Sequence, residues 1–201
     1  MNRTTEIRRP RMWSLPTLIG AGCLVSCAAV TSVSVEPLPE VSLCERFKAQ
    51  ATVDLLWTTQ WRADQKDVAD RNRAAAAGIA AFGRESTCFK HLEITRAGAD
   101  EFAGSATAPA PGSRPGAPIL WITVRELGPV VRIGASAALV EGGTEVVLDV
   151  ATTGLPEPRR AAPFTVHWQN GGAGVIKGVA SLPFDMASAL AAAMGAAKGV
   201  R

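Results

Sequence analysis

Tyrosine is absent from this sequence, and histidine occurs only twice, at His91 and His167. Without tyrosine, the four tryptophans beyond the N-terminal region (Trp57, Trp61, Trp121 and Trp168) lack the partners that usually help to build an aromatic ligand platform. All four lie on or beside segments that read as strands, which suits core and sheet-edge roles. A serine–histidine–aspartate mechanism would have to recruit His91 or His167, and both fall inside strand patterns. The sequence also lacks a G-x-S-x-G elbow to present a serine. Charged residues make up 19% of the chain and form no basic run, so the electrostatic footprint of a nucleic-acid binder is missing.

Glycine is more plentiful, but not in a phosphate-binding arrangement. Gly171 to Gly178 places Lys177 before Gly178 and follows it with Val179, whereas a P-loop needs Gly-Lys followed by Ser or Thr. Gly172, Gly174 and Gly178 have the wrong last interval for a dinucleotide fingerprint. The stretch reads as a flexible connection between the last strand and the last helix. Glu141 and Glu145, the most conspicuous neighbouring carboxylates, flank Gly142-Gly143 and read as solvated. No residue is assigned a catalytic, cofactor-binding or metal-binding role, and the expectation is a non-enzymatic protein.

The N-terminus is different in kind. Arg3, Arg8, Arg9 and Arg11, opposed by Glu6, precede a stretch from Met12 to Val30 without a charge. That stretch approaches membrane-spanning length, roughly 20 residues, but Ser14, Pro16, Gly20, Ala21, Gly22 and Ser26 dilute it. The pattern is that of a secretory signal. Leu24-Val25-Ser26-Cys27 resembles a bacterial lipobox at every position, with Cys27 as the lipidated residue and new N-terminus. Cys23 competes, but Gly20 is a poor substitute for the large apolar residue three positions earlier. Arg8-Arg9 is followed by Pro10-Arg11-Met12, which departs from a twin-arginine signal. The residue after Cys27 is Ala28 rather than Asp, which by resemblance to enterobacterial sorting implies the outer membrane, facing the periplasm.

Removing residues 1–26 leaves 175 residues, enough for one domain with a real core. The four arginines and one glutamate of the signal account for the whole formal charge of +3, so the mature chain is neutral. Of the cysteines, Cys44 and Cys88 remain. In an oxidising compartment an isolated pair most simply forms a disulfide. Free thiols and metal ligation stay open, the latter because Cys88 sits three residues before His91, although no ligand-spacing motif is completed.

Residues 27–43, with Pro37 and Pro39, read as a tether. The alternation from Phe47 to Trp57 predicts a half-buried strand. Asp64 is a plausible N-cap for a helix whose stripe is Val68, Ala75, Ile79 and Phe82, with an Asp67–Arg71 pair on its polar side and Gly83 as its stop. The DVADRNR segment reads as a solvated face. Further strands are expected over Cys88–Thr95, Ile119–Leu127, Ala135–Glu141, Thr144–Ala151 and Phe164–Trp168, with Gly142-Gly143 as a hairpin turn. A mobile loop is expected at about 97–118. A final helix over Ala180–Gly195 should bury Phe184, Met186, Leu190 and Met194. The expected fold is α+β: a mixed, mostly antiparallel sheet with two main helices packed against it, in one domain over 44–201.

The stretch Ala138–Gly154 (ALVEGGTEVVLDVATTG), followed by FTVHW and the closing helix, resembles small envelope lipoproteins and accessory domains. These include the TolB N-terminal domain, curli-secretion lipoproteins and lipoprotein activators of penicillin-binding proteins. The resemblance is topological, spans residues 46–195 and carries over no functional residue. It implies a lipid-anchored binding or accessory protein with envelope proteins as partners; an enzyme or solute-binding lipoprotein is the alternative. Metabolic labelling with a fatty-acid analogue should be lost in Cys27→Ser and retained in Cys23→Ser. The reverse result would move the anchor and the mature N-terminus to Cys23.

Overall fold

The computed structural model describes residues 29–98, 116–133, 140–155 and 162–196. Cys27, the signal segment and most of the loop expected at 97–118 lie outside the described residues. Among the described residues, six strands form one sheet: β1 (Val30–Glu36), β2 (Val53–Thr59), β3 (Leu92–Arg96), β4 (Ile119–Ile133), β5 (Val140–Thr153) and β6 (Phe164–Ala173). Their spatial order is β1-β6-β5-β4-β2-β3. β2 pairs in parallel with both β3 and β4, and the remaining pairs are antiparallel. Among the described residues, the helices are α1 (Leu43–Lys48), α2 (Val68–Glu85) and α3 (Leu182–Gly195). This is the expected α+β fold, with α2 and α3 as the two main helices.

The first correction concerns the tether. Val30–Glu36 is not a free linker but an edge strand, paired along its length with Thr165–Gly171 of β6. Pro37 and Pro39 follow the strand rather than interrupt it, and the Glu36–Pro37 peptide is cis. The domain therefore begins close to Cys27 in sequence. The second correction is at Phe47, which was expected in a strand but belongs to α1. Ser42 caps this helix, its hydroxyl accepting from the Glu45 N–H at 3.3 Å. The Ser-x-x-Glu spacing is a capping-box signature. Leu43 and Phe47, four residues apart, then fall on one helix face and are fully buried.

β2 keeps the predicted phase, with Val53, Leu55 and Trp57 in the main core. However, Asp54, Leu56 and Thr58 are buried too. A strand parallel to both neighbours is commonly covered on both faces, so alternation understates its burial. Leu56 joins Ala97, Ile119 and Trp121 in a second, smaller cluster.

α2 starts at Val68 rather than at Asp64. Residues 62–65 form a turn in which Gln65 N–H donates to the Arg62 carbonyl at 3.1 Å. Asp67, at φ 57°, precedes the helix in a left-handed conformation. Val68 is exposed; Ala74, Ala75, Gly78, Ile79 and Phe82 form the buried stripe. In α3 the buried positions include Met186, Leu190 and Met194 as expected, whereas Phe184 is 74% exposed. Phe184 follows Pro183 in the first turn, and the inward place is taken by Leu182 and Asp185.

The long β4–β5 pairing displaces the expected turn. Gly142 and Gly143 lie inside β5, opposite Val131 and Val130. Any turn between these strands falls in residues 134–139, outside the described set. A bulge between Val124 and Glu126 shifts the register. It changes the inward-facing phase from Leu120, Ile122 and Val124 to Leu127, all of which are buried in the main core.

α2 and α3 pack on the same face of the sheet and touch closely at Gly78. A Cβ there would lie 2.5 Å from Met186 Cβ and 2.6 Å from the Pro183 carbonyl oxygen. The expected cost of Gly78→Ala is about 1–3 kcal/mol, the range for overpacking a tight core. Gly195→Ala, with nothing within 4 Å of its Cβ position, should be neutral or slightly stabilising. Urea midpoints of the two variants check this, and equal midpoints would contradict the packing argument.

Candidate functional site at the free edge and tip of the sheet

The residues with the most obvious chemistry are kept apart. His91 sits before β3, where its carbonyl accepts from the Val53 N–H at 3.0 Å. His167 is exposed on β6, in register with Ser34 and Val147. β6 and β3 are four strand spacings apart, about 19 Å, so the two imidazoles do not converge. Glu145 accepts a hydrogen bond from Gln169 Nε2 at 3.2 Å, and both it and Glu141 lie within β5 rather than beside a turn. Among the described residues, no cluster of three His, Cys, Asp or Glu side chains is placed to hold a metal ion. Cys44 and Cys88 form a disulfide, which joins α1 to the segment before β3.

The tryptophans divide as expected of core and edge residues. Trp57, Trp121 and Trp168 are buried. Trp61 is partly buried, and its Nε1–H donates at 3.1 Å to Asn72 Oδ1, which also accepts from Thr59 Oγ1 and Arg96 Nη2. The DVADRNR segment, expected as a solvated face, is therefore partly structural. Arg71 does not pair with Asp67. It reaches Glu126 at 3.2 Å and donates to the Leu127 carbonyl. The β2–β4 register ends at Thr59 and Val124. Beyond that point the Arg71 guanidinium serves the β4 backbone in place of a strand neighbour. Burying an arginine for this purpose is favourable because its planar fork satisfies several acceptors together.

The glycine stretch is also more ordered than a flexible connection. Gly171 and Gly172 are part of β6, and the chain turns only at Gly174, with φ 73°. After the turn, Lys177 folds back over the Trp168 ring, 5.8 Å from its centroid, and pairs with Asp185 at 2.7 Å. Asp185 is fully buried, and among the described residues its second carboxylate oxygen has no hydrogen-bond partner. This ion pair fastens the β6–α3 connection to the first turn of α3. A buried charge left without its partner is costly.

Two of the grooves lined by described residues bear on function. One, of about 350 Å³, lies between the C-terminal end of α2 and the outer side of α3, and includes Cys88 and the exposed Phe184. The other, of about 200 Å³, crosses β1, β6, β5 and β4 near their ends. Gly171 and Gly143 are its floor, with Val30 and Ser32 to one side and Val130 to the other. These glycines permit close backbone approach: a Cβ on Gly171 would run into Gly142 oxygen and Gly143 Cα. The groove opens beside the free side of β1.

The two sheet edges differ in kind. β3 is five residues long and carries Glu93 and Arg96, the sort of charges that discourage edge-to-edge pairing. β1 is seven residues long, with no charge before Glu36. Its residues are exposed except Val35, which is partly buried. A strand at an open edge presents unpaired backbone donors and acceptors on one side. Sequence reading missed β1 because it joined a diluted signal region to a proline pair; the Val-Thr-Ser-Val-Ser-Val alternation was the available signal.

No protein-family model and no curated protein sequence matches this chain. Among solved structures, it resembles PelC of Paraburkholderia phytofirmans, solved as a dodecamer, with a TM-score of 0.38 and 14% identity. That match covers 83% of this chain and 99% of PelC. A neuraminyllactose-binding hemagglutinin homologue from Helicobacter pylori matches with a TM-score of 0.35 and 9% identity, over 71% of this chain and 78% of that one. Both likenesses are too distant to define a shared role.

Asp185→Ala should destabilise the protein by about 3–5 kcal/mol, because it strands Lys177 in a largely buried position. Pairing Asp185→Leu with Lys177→Met should recover much of that loss. Chemical denaturation of both variants measures the difference; equal losses would mean that the ion pair itself, rather than an orphaned charge, governs stability here.

Proposed function

We propose that this protein is a lipid-anchored lipoprotein of the bacterial envelope, held in the outer membrane through Cys27. It faces the periplasm and acts as a non-enzymatic binding or accessory component. The observation that carries the contact part of this reading is β1. It is an edge strand without charge over Val30–Val35, starts three residues after Cys27, and among the described residues leaves one side open. Adding a strand to such an edge supplies affinity through backbone hydrogen bonds, and side-chain pockets beside it supply specificity. The groove floored by Gly143 and Gly171 lies next to that edge and offers such a pocket. The partner class is an extended segment of another envelope protein.

An enzyme or solute-binding lipoprotein is the alternative, and it makes different demands. It would need one of the imidazoles or a convergent polar pocket. Two sets of variants separate the readings. His91→Ala and His167→Ala should leave cellular function intact, since both side chains are exposed and distant from each other. A proline scan over Thr31–Val35 should show a two-residue period. Alternate residues of an antiparallel strand direct their N–H toward the neighbour. Proline at the outward-directed positions should preserve folding and abolish capture of envelope partners. Loss of function in a normally folded histidine variant, or full capture by every folded proline variant, would restore the alternative.

A further inference from the structure

We infer that Val30, Val131 and Ile176, which lie near one end of the sheet, rest on the lipid bilayer as a second, non-covalent membrane contact. The inference rests on the reading of Cys27 as the lipidated residue. Three observations place these side chains together. Val30 is in register with Gly171, and Gly171 with Gly143. Val131 is in register with Gly142, the next residue on β5. Ile176 Cα lies 3.8 Å from the position a Gly142 Cβ would take, so the chain after β6 crosses the same end of the sheet.

All three side chains face solvent. Val30 and Val131 are each 68% exposed and Ile176 is 95% exposed. The register puts Val30 on one face of the sheet, with Gly143 and Gly171, and Val131 on the other, with Gly142. The β4–β5 ribbon continues two register pairs past Val131, through Arg132–Glu141 and Ile133–Val140, so this end is narrow, with exposed aliphatic residues on both faces and the exposed Glu141 beside them.

The tether selects the occupant. Cys27 precedes Val30 by three residues, which span at most about 10 Å when fully extended. A lipid chain on Cys27 fixes the bilayer surface within that reach of Val30. Contact between this end and the bilayer is then intramolecular in effect, so a weak apolar interaction is populated without high intrinsic affinity. Aliphatic side chains at the boundary between headgroups and acyl chains enter to roughly 5–10 Å. Glu36 and the residues after it lie at the far end of β1, directed away from that surface.

The test uses the full mature protein purified from membranes. Its mass reports whether Cys27 carries acyl groups. Ile176→Trp and Val131→Trp are prepared separately, with Leu38→Trp, beyond the far end of β1, as the control. Each is reconstituted into phosphatidylethanolamine–phosphatidylglycerol vesicles containing brominated acyl chains, and quenching is measured above the wild-type tryptophan background. Both tip variants should be quenched at least about threefold more strongly than the Leu38→Trp control, as expected for side chains at interfacial depth. Acylated protein with tip quenching equal to the control overturns this inference and leaves the anchor intact. Protein without acyl mass overturns the anchor and this inference with it. A tip protected by a tightly bound protein instead of lipid would give no bromine quenching and count against the bilayer.

Discussion

A layer of two helices covers only a limited length of sheet, and much of this structure follows from that mismatch. α2 has 18 residues and α3 has 14, giving lengths of about 27 and 21 Å. β4 has 15 residues and β5 has 14, giving strands of roughly 45–50 Å. The main core occupies the part of the ribbon under the helices, through Leu127 and Val146. Past that point the composition changes. On the helix-facing phase beyond Leu127 and Val146 stand Pro129 on β4, Gly142 on β5 and Gly172 on β6 in place of aliphatics, while Gly143 and Gly171 lie on the opposite face. Without helices above it, a strand gains nothing from large apolar side chains unless something else covers them. That makes the exposed valines at the end of the ribbon informative.

The parallel side of the sheet solves a different problem. β2 and β3 are parallel neighbours, so the chain must cross over between them, and α2 is the crossover. α1 precedes this unit and is bonded to its end through Cys44–Cys88, 44 residues apart in sequence. On the chain-entropy account a closed loop of this size disfavours the unfolded state by about 4 kcal/mol. Arg71 and Asn72 hold the same unit at its other end. One satisfies the β4 backbone, and the other gathers Thr59, Trp61 and Arg96. The helix is thus fixed to the sheet by polar contacts near its start and by Gly78 packing in its middle. This explains why a segment so rich in charge is not simply solvated.

The elements legible in the sequence were those with one wet and one dry face. The stripe of α2 and most apolar positions of α3 followed from periodicity, β4 followed from a β-prone run beginning after Pro118, and the disulfide followed from the cysteine count. Misreadings occurred where a different constraint governed. Phe47 continues an alternating pattern into Val53, but the Ser42–Glu45 cap starts a helix before it. Asp54 looks outward in a two-sided pattern, yet β2 is buried on both faces. Gly142-Gly143 is a strong local turn signal, overridden by the long pairing of β4 with β5. Phe184 fits the helical stripe by spacing, but Pro183 and the inward Asp185 set the phase of that first turn. The free edge was not legible because recognising β1 as an edge strand requires knowing its neighbour, β6, which lies more than 130 residues later.

β1 combines features that seldom occur together without a use. An exposed edge strand is normally guarded by charge, proline, shortness or a covering element. β3 has the charge and the shortness; β1 has neither over Val30–Val35. Under the anchored reading, the bilayer occupies the space at one end of β1 and limits which partners reach its open side. Large globular partners would collide with the membrane at the Val30 end, whereas an extended segment lying along β1 would not. The same geometry would suppress edge pairing between copies whose docking required one of them to tilt into the bilayer. On that reading, proximity to the membrane would be a physical substitute for the missing charges: it would leave the edge open to a strand while narrowing the directions from which aggregation can begin.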